Sequence, residues 1–232
     1  MRRVGVHGAG FTPITQMAPC PAGAVAGDWW DPNNDGLCVW AAYQPKGAAD
    51  LAGSYVDLSG NGNNTAPGVA PTWDAVNGWI FNGTTQYLVT TFVPAQDQSQ
   101  SMIIQYTNAV TVDGVICGCN GLTTTRVFHL EPLRNGTSVR YGNGGLTAVA
   151  PQLAAGNICV AGNDGYRNGA SEGIALAAWT GAALTVYIGA RHSTAVGGAN
   201  NFCQSYVQAF AIYDCTLTAP QVAAVVAAMA AL

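Results

Sequence analysis

From about Leu37 onward the chain is a succession of short runs rich in β-branched and aromatic residues, each closed by Gly, Asn or Pro, and only its last fifteen residues carry a helical period. LCVWAAYQP, WIFNGTTQYLVTTF, SMIIQYTN, GVICGCN, RVFHLEP, TSVRYGNGG, LTAVAP, NICVAGNDGYRNGA, LTVYIGA and QSYVQAFAIYD read as strands, SYVDL as a further short one, and Asn163-Asp164-Gly165 as a hairpin turn. In the last strand Tyr206, Gln208, Phe210 and Ile212 alternate with Val207, Ala209, Ala211 and Tyr213. Both of its faces are largely apolar, so it belongs inside a sheet covered on both sides. Thr218 then caps a helix with Gln221 three residues on and Pro220 in the first turn, and Val222, Val225, Val226 and Met229 form one apolar stripe. Such a series of strands predicts an all-β antiparallel sandwich of jelly-roll type with a short C-terminal α-helix. No internal repeat of about 20 to 50 residues is present, which argues against a propeller or solenoid.

With 232 residues the chain can bury a full core as one domain. Residues 1–36 hold Pro13, Pro19, Pro21 and Pro32 and little periodicity before Trp29, so they read as an N-terminal arm ahead of a sandwich domain over 37–232. Charged residues make up 9% of the chain, against about 25% in ordinary globular proteins. Gly, Ala, Asn and Thr replace them, giving a surface that can lie against another protein with little desolvation of charge. A net charge of −4 and a single lysine, Lys46, argue against a nucleic-acid partner. No run approaches the roughly 18 to 20 apolar residues of a membrane span. The basic start MRRVGV is followed by Gly, Pro, Thr and Gln rather than an apolar secretion core, so no export signal is expected. The seven cysteines are odd in number and form no compact framework, which favours small buried thiols in a reducing compartment.

Four stretches occur in an order that resembles the laminin-G-like, concanavalin-A-like jelly rolls. Asp57-Leu58-Ser59-Gly60-Asn61-Gly62-Asn63-Asn64 is similar to the turn near the start of those domains, and Phe81-Asn82-Gly83-Thr84-Thr85-Gln86-Tyr87-Leu88 to the strand pair that follows it. Tyr166-Arg167-Asn168-Gly169 resembles their central hairpin turn, and Tyr187-Ile188-Gly189 opens the ending described above. The single domain and Ala-rich last helix also resemble the stand-alone laminin-G-like proteins of tailed phages. That resemblance implies a non-enzymatic virion component, a capsid decoration, head-fibre or tail-associated protein assembled in the host cytoplasm. It would associate as a trimer or dimer with itself and with capsid or tail proteins.

Chemistry finds little support. Glucanases on this fold use a Glu-x-Asp-x-x-Glu strand that aims three carboxylates into one cleft, and this chain has only Glu131 and Glu172, far apart. Glu131, ahead of Pro132, reads as a solvated strand end. His7, His129 and His192 are isolated, Cys117-x-Cys119 lacks a second close pair for zinc, and Ser59 lacks the flanking glycines of a nucleophile elbow, so no catalytic residue is assigned. Two ligand readings stay open. Asp57, Asn61 and Asn63 offer hard oxygen atoms at alternate spacing, either for calcium or for an Asx-stabilised turn; no other cofactor is implied. Trp29, Trp30, Trp73, Trp79 and Trp179, with Gln86 and Asn200, supply aromatic faces and amides for a carbohydrate-binding or receptor-binding surface, or else fill the core.

Overall fold

The computed structural model describes residues 28–95, 97–121, 126–177 and 183–232. Residues 1–27 of the expected arm, and Trp179, lie outside them. Among the described residues sixteen strands, numbered in chain order, form two sheets. The first runs β12 (Ala170–Ser171), β11 (Asp164–Arg167), β10 (Gly156–Ala161), β6 (Ser101–Thr107), β16 (Gln204–Tyr213), β4 (Gly78–Asn82) and β3 (Thr72–Asp74), with β1 (Val39–Tyr43) also on β16. The second runs β15 (Gly198–Asn200), β14 (Arg191–Ser193), β7 (Cys117–Asn120), β13 (Tyr187–Ile188), β5 (Tyr87–Val89) and β2 (Ala66–Val69). On it β8 (Val127–Arg134) pairs with β7, and β9 (Ser138–Val149) with β8. The named strands pair antiparallel except β14, which runs parallel to β7. The chain is thus an all-β sandwich with one short helix, α1 (Ala219–Met229), at its end.

β16 is the spine of the first sheet. One edge is lined by β6, while β4 takes the Gln204–Val207 half of the other edge and β1 takes the Phe210–Tyr213 half. Its side chains divide between two cores. Val207, Phe210 and Ile212 enter the sandwich interior with Trp79, Phe81, Tyr106, Phe128 and Tyr141, and Ala209, Ala211 and Tyr213 face outward under α1. The outward positions near the helix are mostly small, with Ala42, Cys159 and Ala161 beside Ala209 and Ala211. Small side chains let the helix lie close, and its stripe of Val222, Val225, Val226 and Met229 is buried there as the periodicity predicts. Burial of each such side chain is worth roughly 1.5–3 kcal/mol. Thr218 N and Oγ1 lie 2.8 and 2.9 Å from Gln221 Oε1, which closes the helix start. Gly169, at φ +84°, sits 3.3 Å from the Ala223 Cα measured to an added Cβ, so the Tyr166–Gly169 turn is the place where the sheet passes under the helix.

The described end of the arm belongs to this second core. Trp29 and Trp30 are buried against α1 with their rings edge-on at 5.5 Å, and the Tyr213 hydroxyl donates to the Trp30 carbonyl at 2.9 Å. Asp31 accepts hydrogen bonds from the backbone of Asp35, Gly36 and Leu37 and turns the chain toward β1.

Local readings differ from the structure at four places. Gly53–Tyr55 is a short 3₁₀ turn rather than a strand, because Asp50 accepts the Gly53 N–H and caps a helical turn. TSVRYGNGG and LTAVAP are one twelve-residue strand, β9. The hairpin turn is Gly162-Asn163, with Ala161 paired to Asp164. The Phe81–Leu88 stretch carries the chain from the first sheet to the second, around an Asn82 side chain that accepts the N–H groups of Thr84 and Thr85.

Truncating Met229 to Ala is expected to cost about 2–5 kcal/mol in urea denaturation, whereas a polar substitution at exposed Ala227 stays within about 0.5 kcal/mol.

Candidate functional site

On the second sheet Leu88, Cys117, Cys119, Phe128, Leu130, Val139, Tyr141 and Ile188 point into the sandwich. Alternation then places Tyr87, Tyr187, Gly118, His129, Glu131, Arg140 and Gly142 on its outer face. The register aligns Val89, Tyr187, Gly118, His129 and Gly142 across five strands, and Glu131 opposite Arg140 in the next row. His129 is thus set between two glycines. A Cβ on Gly118 would approach the His129 Cβ to 2.3 Å, so the position requires glycine.

A row of aromatic rings runs along this face. Tyr87 stacks on Tyr187 with centroids 4.9 Å apart, Tyr187 on His192 at 4.1 Å and 3°, and Phe202 leans on Tyr87 at 6.2 Å. All four rings are half-buried, so each keeps part of its surface in solvent. Gly68 of β2 makes room for the row, since a Cβ there would lie 2.2 Å from the Tyr87 ring. The His192 Nδ1 is 3.0 Å from the Thr185 carbonyl, which only accepts, so in the neutral ring Nδ1 carries the proton and Nε2 is left as an acceptor.

Beside the aromatic row lies a polar chain. Glu131 is fully buried and paired with Arg140, and Arg134 is 4.0 Å from it. Arg134 also reaches Asp113 at 2.9 Å, and the Asp113 carbonyl accepts from the Asn201 amide at 3.1 Å. Arg191 closes the chain, donating from Nε to Asn200 at 3.0 Å and from Nη2 to Asn201 at 2.9 Å. Burial raises the Glu131 carboxyl above its ordinary value, and Arg140 opposes the rise. His129 is wholly buried and, among the described residues, neither ring nitrogen has a hydrogen-bond partner; burial first, then the charges of Arg140, Arg191 and Arg134, push it well below 6.5. The expectation of a solvated Glu131 is therefore corrected. Its partner Arg140 is supplied by the neighbouring strand, nine residues away.

The residues expected to hold sugar are scattered. Trp29 and Trp30 are buried under α1. Trp79 is fully buried, donates to Ser54 Oγ at 2.7 Å and packs against Tyr43 and Tyr55, so no ring face is open. Trp73 is half-buried and donates to the Pro45 carbonyl at 2.8 Å. Gln86 accepts the Asn82 N–H at 2.8 Å and precedes Tyr87, and Asn200 holds Arg191. Gln86 thus precedes Tyr87 in the chain and Asn200 lies opposite Arg191 of β14, while the ring row is made by Tyr87, Tyr187, His192 and Phe202, none of which had been expected in a site. The signal for them was the alternation of Tyr87 with Leu88 and of Tyr187 with Ile188, which marks a tyrosine opposite each core residue.

The Asp57 loop does not fit calcium. Asp57 is 6% exposed; its Oδ1 accepts from Ala42 N, Ser59 N and Ser59 Oγ, and its Oδ2 from Asn63 N. Asn61 and Asn63 turn their NH₂ groups to the carbonyls of Val39 and Trp40. A calcium ion needs about six to eight oxygen ligands, and here the one carboxylate is occupied by donors that pin the loop to β1. Among the described residues no group of three or more His, Cys, Asp or Glu gathers in a metal-binding array. Cys117 and Cys119 are both buried and free, and burial pushes the Cys119 thiol up to about 12. A cleft of about 420 Å³ lined by Gln44, Ala48, Ala49, Val56 and Leu58 contains no titratable side chain.

No family model matches the chain, and no curated protein matches it. Solved structures do. Domain 4 of an extracellular GH43 arabinanase from Geobacillus stearothermophilus, in complex with arabinotriose, is similar at a TM-score of 0.53 and 13% identity, covering 82% of this chain and 98% of that one. The receptor binding domain of botulinum neurotoxin type G is similar at 0.53 and 10%, over 80% of this chain and 50% of that one. A Trypanosoma rangeli sialidase mutant displaying trans-sialidase activity is similar at 0.51 and 16%, over 80% and 32%. The chain thus spans half of the toxin domain and a third of the sialidase. At these identities the likeness defines a β-sandwich and nothing further.

Two outcomes follow from this geometry. Millimolar chelator is expected to leave the melting temperature unchanged, while Asp57→Ala costs about 1–3 kcal/mol or more by orphaning buried N–H groups; a rise in melting temperature with added calcium would contradict this. The His129 imidazole is expected to stay neutral below pH 6.5 in an NMR titration. Because the unfolded chain takes that proton and the folded one does not, His129 lowers stability as pH falls below 6.5, by up to about 1.4 kcal/mol per pH unit. Glu131 acts oppositely, as its raised value lets the folded state take a proton before the unfolded one does at 4.5.

Proposed function

We propose that this chain is a non-catalytic carbohydrate-binding sandwich whose ligand lies on the Phe202–Tyr87–Tyr187–His192 row. The observation that carries the reading is the half-exposed stack itself. The rings cover one another's faces, so a sugar lies across the exposed edges of the row, where Nε2 of His192 and the amides of Asn200 and Gln86 supply polar groups for its hydroxyls. The arabinanase domain supports it, being a sandwich of similar extent in complex with arabinotriose. The non-catalytic part is supported by the glutamates: Glu131 is buried on Arg140, and Glu172 is paired with Arg167 at 2.6 Å, so neither is free to protonate or attack a glycosidic bond.

A virion surface is the setting we propose for such a domain, as a homotrimer or dimer held to capsid or tail proteins. Its support is the resemblance to phage-encoded laminin-G-like proteins together with the 9% content of charged residues, which suits lasting protein contacts. A strict monomer by light scattering that binds neither assembled capsids nor tails would count against it.

The test of binding is a glycan array followed by calorimetry with wild type and Tyr187→Ala. Wild type is expected to bind, and Tyr187→Ala to weaken binding about tenfold or more with its far-UV circular dichroism unchanged. An array left blank at high protein concentration would overturn the carbohydrate reading.

A further inference from the structure

Resting on the carbohydrate reading, we infer that Arg191 is a specificity-determining residue that selects a carboxylate-bearing sugar. Among the described residues Arg191 has no acidic side chain within 4.0 Å; its partners are the neutral amide oxygens of Asn200 and Asn201. The polar chain it closes contains three guanidinium groups, on Arg134, Arg140 and Arg191, and two carboxylates, on Asp113 and Glu131. Glu131 is buried on Arg140 and Asp113 is taken by Arg134, so the unbalanced positive charge falls to Arg191. Burial, and Arg140 nearby, lower the Arg191 guanidinium from its ordinary value although Glu131 opposes the fall, a setting that an arriving anion would relieve.

The guanidinium is also held in place before any ligand arrives. Nε and Nη2 are fixed by Asn200 and Asn201, and Asn201, in a left-handed conformation at φ +48°, is itself anchored to the Asp113 carbonyl. Nη1 has no partner among the described residues and is not enclosed, so it remains available to a ligand oxygen. A guanidinium with a preset orientation loses little freedom on binding a carboxylate. Arg191 precedes His192 in β14, and its charge acts on His129 and Arg140, which lie on the same outer face of the sheet as Tyr187. An oligosaccharide laid across the edges of the aromatic row therefore passes a fixed cation, and an acidic sugar at that position is the chemistry that satisfies it.

The test is calorimetry with trigalacturonate, its carboxyl-reduced neutral trisaccharide and a sulfated trisaccharide of equal length, using wild type, Arg191→Gln and Arg191→Lys. Wild type is expected to bind trigalacturonate at least tenfold more tightly than the neutral form, with a preference that shrinks as salt is raised. Arg191→Gln is expected to remove that preference, so that the acidic and neutral forms bind equally. Arg191→Lys is expected to keep part of the preference, because it retains the charge without the fork; should Arg191→Gln fail to fold, the partial loss in Arg191→Lys decides. Equal affinity of wild type for the acidic and neutral forms, or tighter binding of the sulfated one, would overturn the inference and leave the carbohydrate reading standing. Binding to none of the three, with a blank glycan array, would overturn that reading itself.

Discussion

The fold depends on one sheet being buried on both of its faces. In β16 the residues on one side, Val207, Phe210 and Ile212, close the sandwich, while Ala209, Ala211 and Tyr213 on the other form the floor of a separate core roofed by α1, Trp29 and Trp30. Neither core is complete without the strand, and a slip of one residue in its pairing would exchange the large and small sets and leave the helix no bed. The Ser101 hydroxyl reinforces the joint, donating to the Cys215 carbonyl at 2.8 Å and accepting from Leu217 N at 2.9 Å, so that the link from β16 to α1 is tied to β6.

Consequently the parts of the architecture specified by neighbours in the chain were legible. The capped helix, its four-residue stripe, the doubly apolar strand and most of the short strands follow from period and turn chemistry, and the structure places them as expected. Where reading failed, the deciding partner lay on another strand. Glu131 precedes a proline and looks like a solvated end, yet the register of β8 with β9 sets Arg140 opposite it and buries the pair. Asp57 has the composition of a cation ligand, and only the backbone of β1 and its own loop show that its oxygens are already engaged.

The aromatic residues divide along the same line. Tryptophan was the natural choice for a sugar platform, but Trp79 fills the sandwich and Trp29 and Trp30 anchor the arm, since large rings bring most apolar surface out of water where space is closed. Tyrosines alternating with core aliphatics are half-exposed instead, and three strands were needed to bring Tyr87, Tyr187 and His192 into one stack. That convergence has no local signature, because β5, β13 and β14 meet only through β7 and one another.

The helix-side core has a bearing on orientation. Asp28, the first described residue, adjoins Trp29, and Leu232 packs on the same core, so both ends of the described residues lie on the outer side of the first sheet. The stacked rings lie on the far side of the second sheet, beyond the whole thickness of the sandwich. The domain has in effect a back and a front: a partner that grips the helix and its tryptophans holds it by the back and leaves the ring row on the front uncovered.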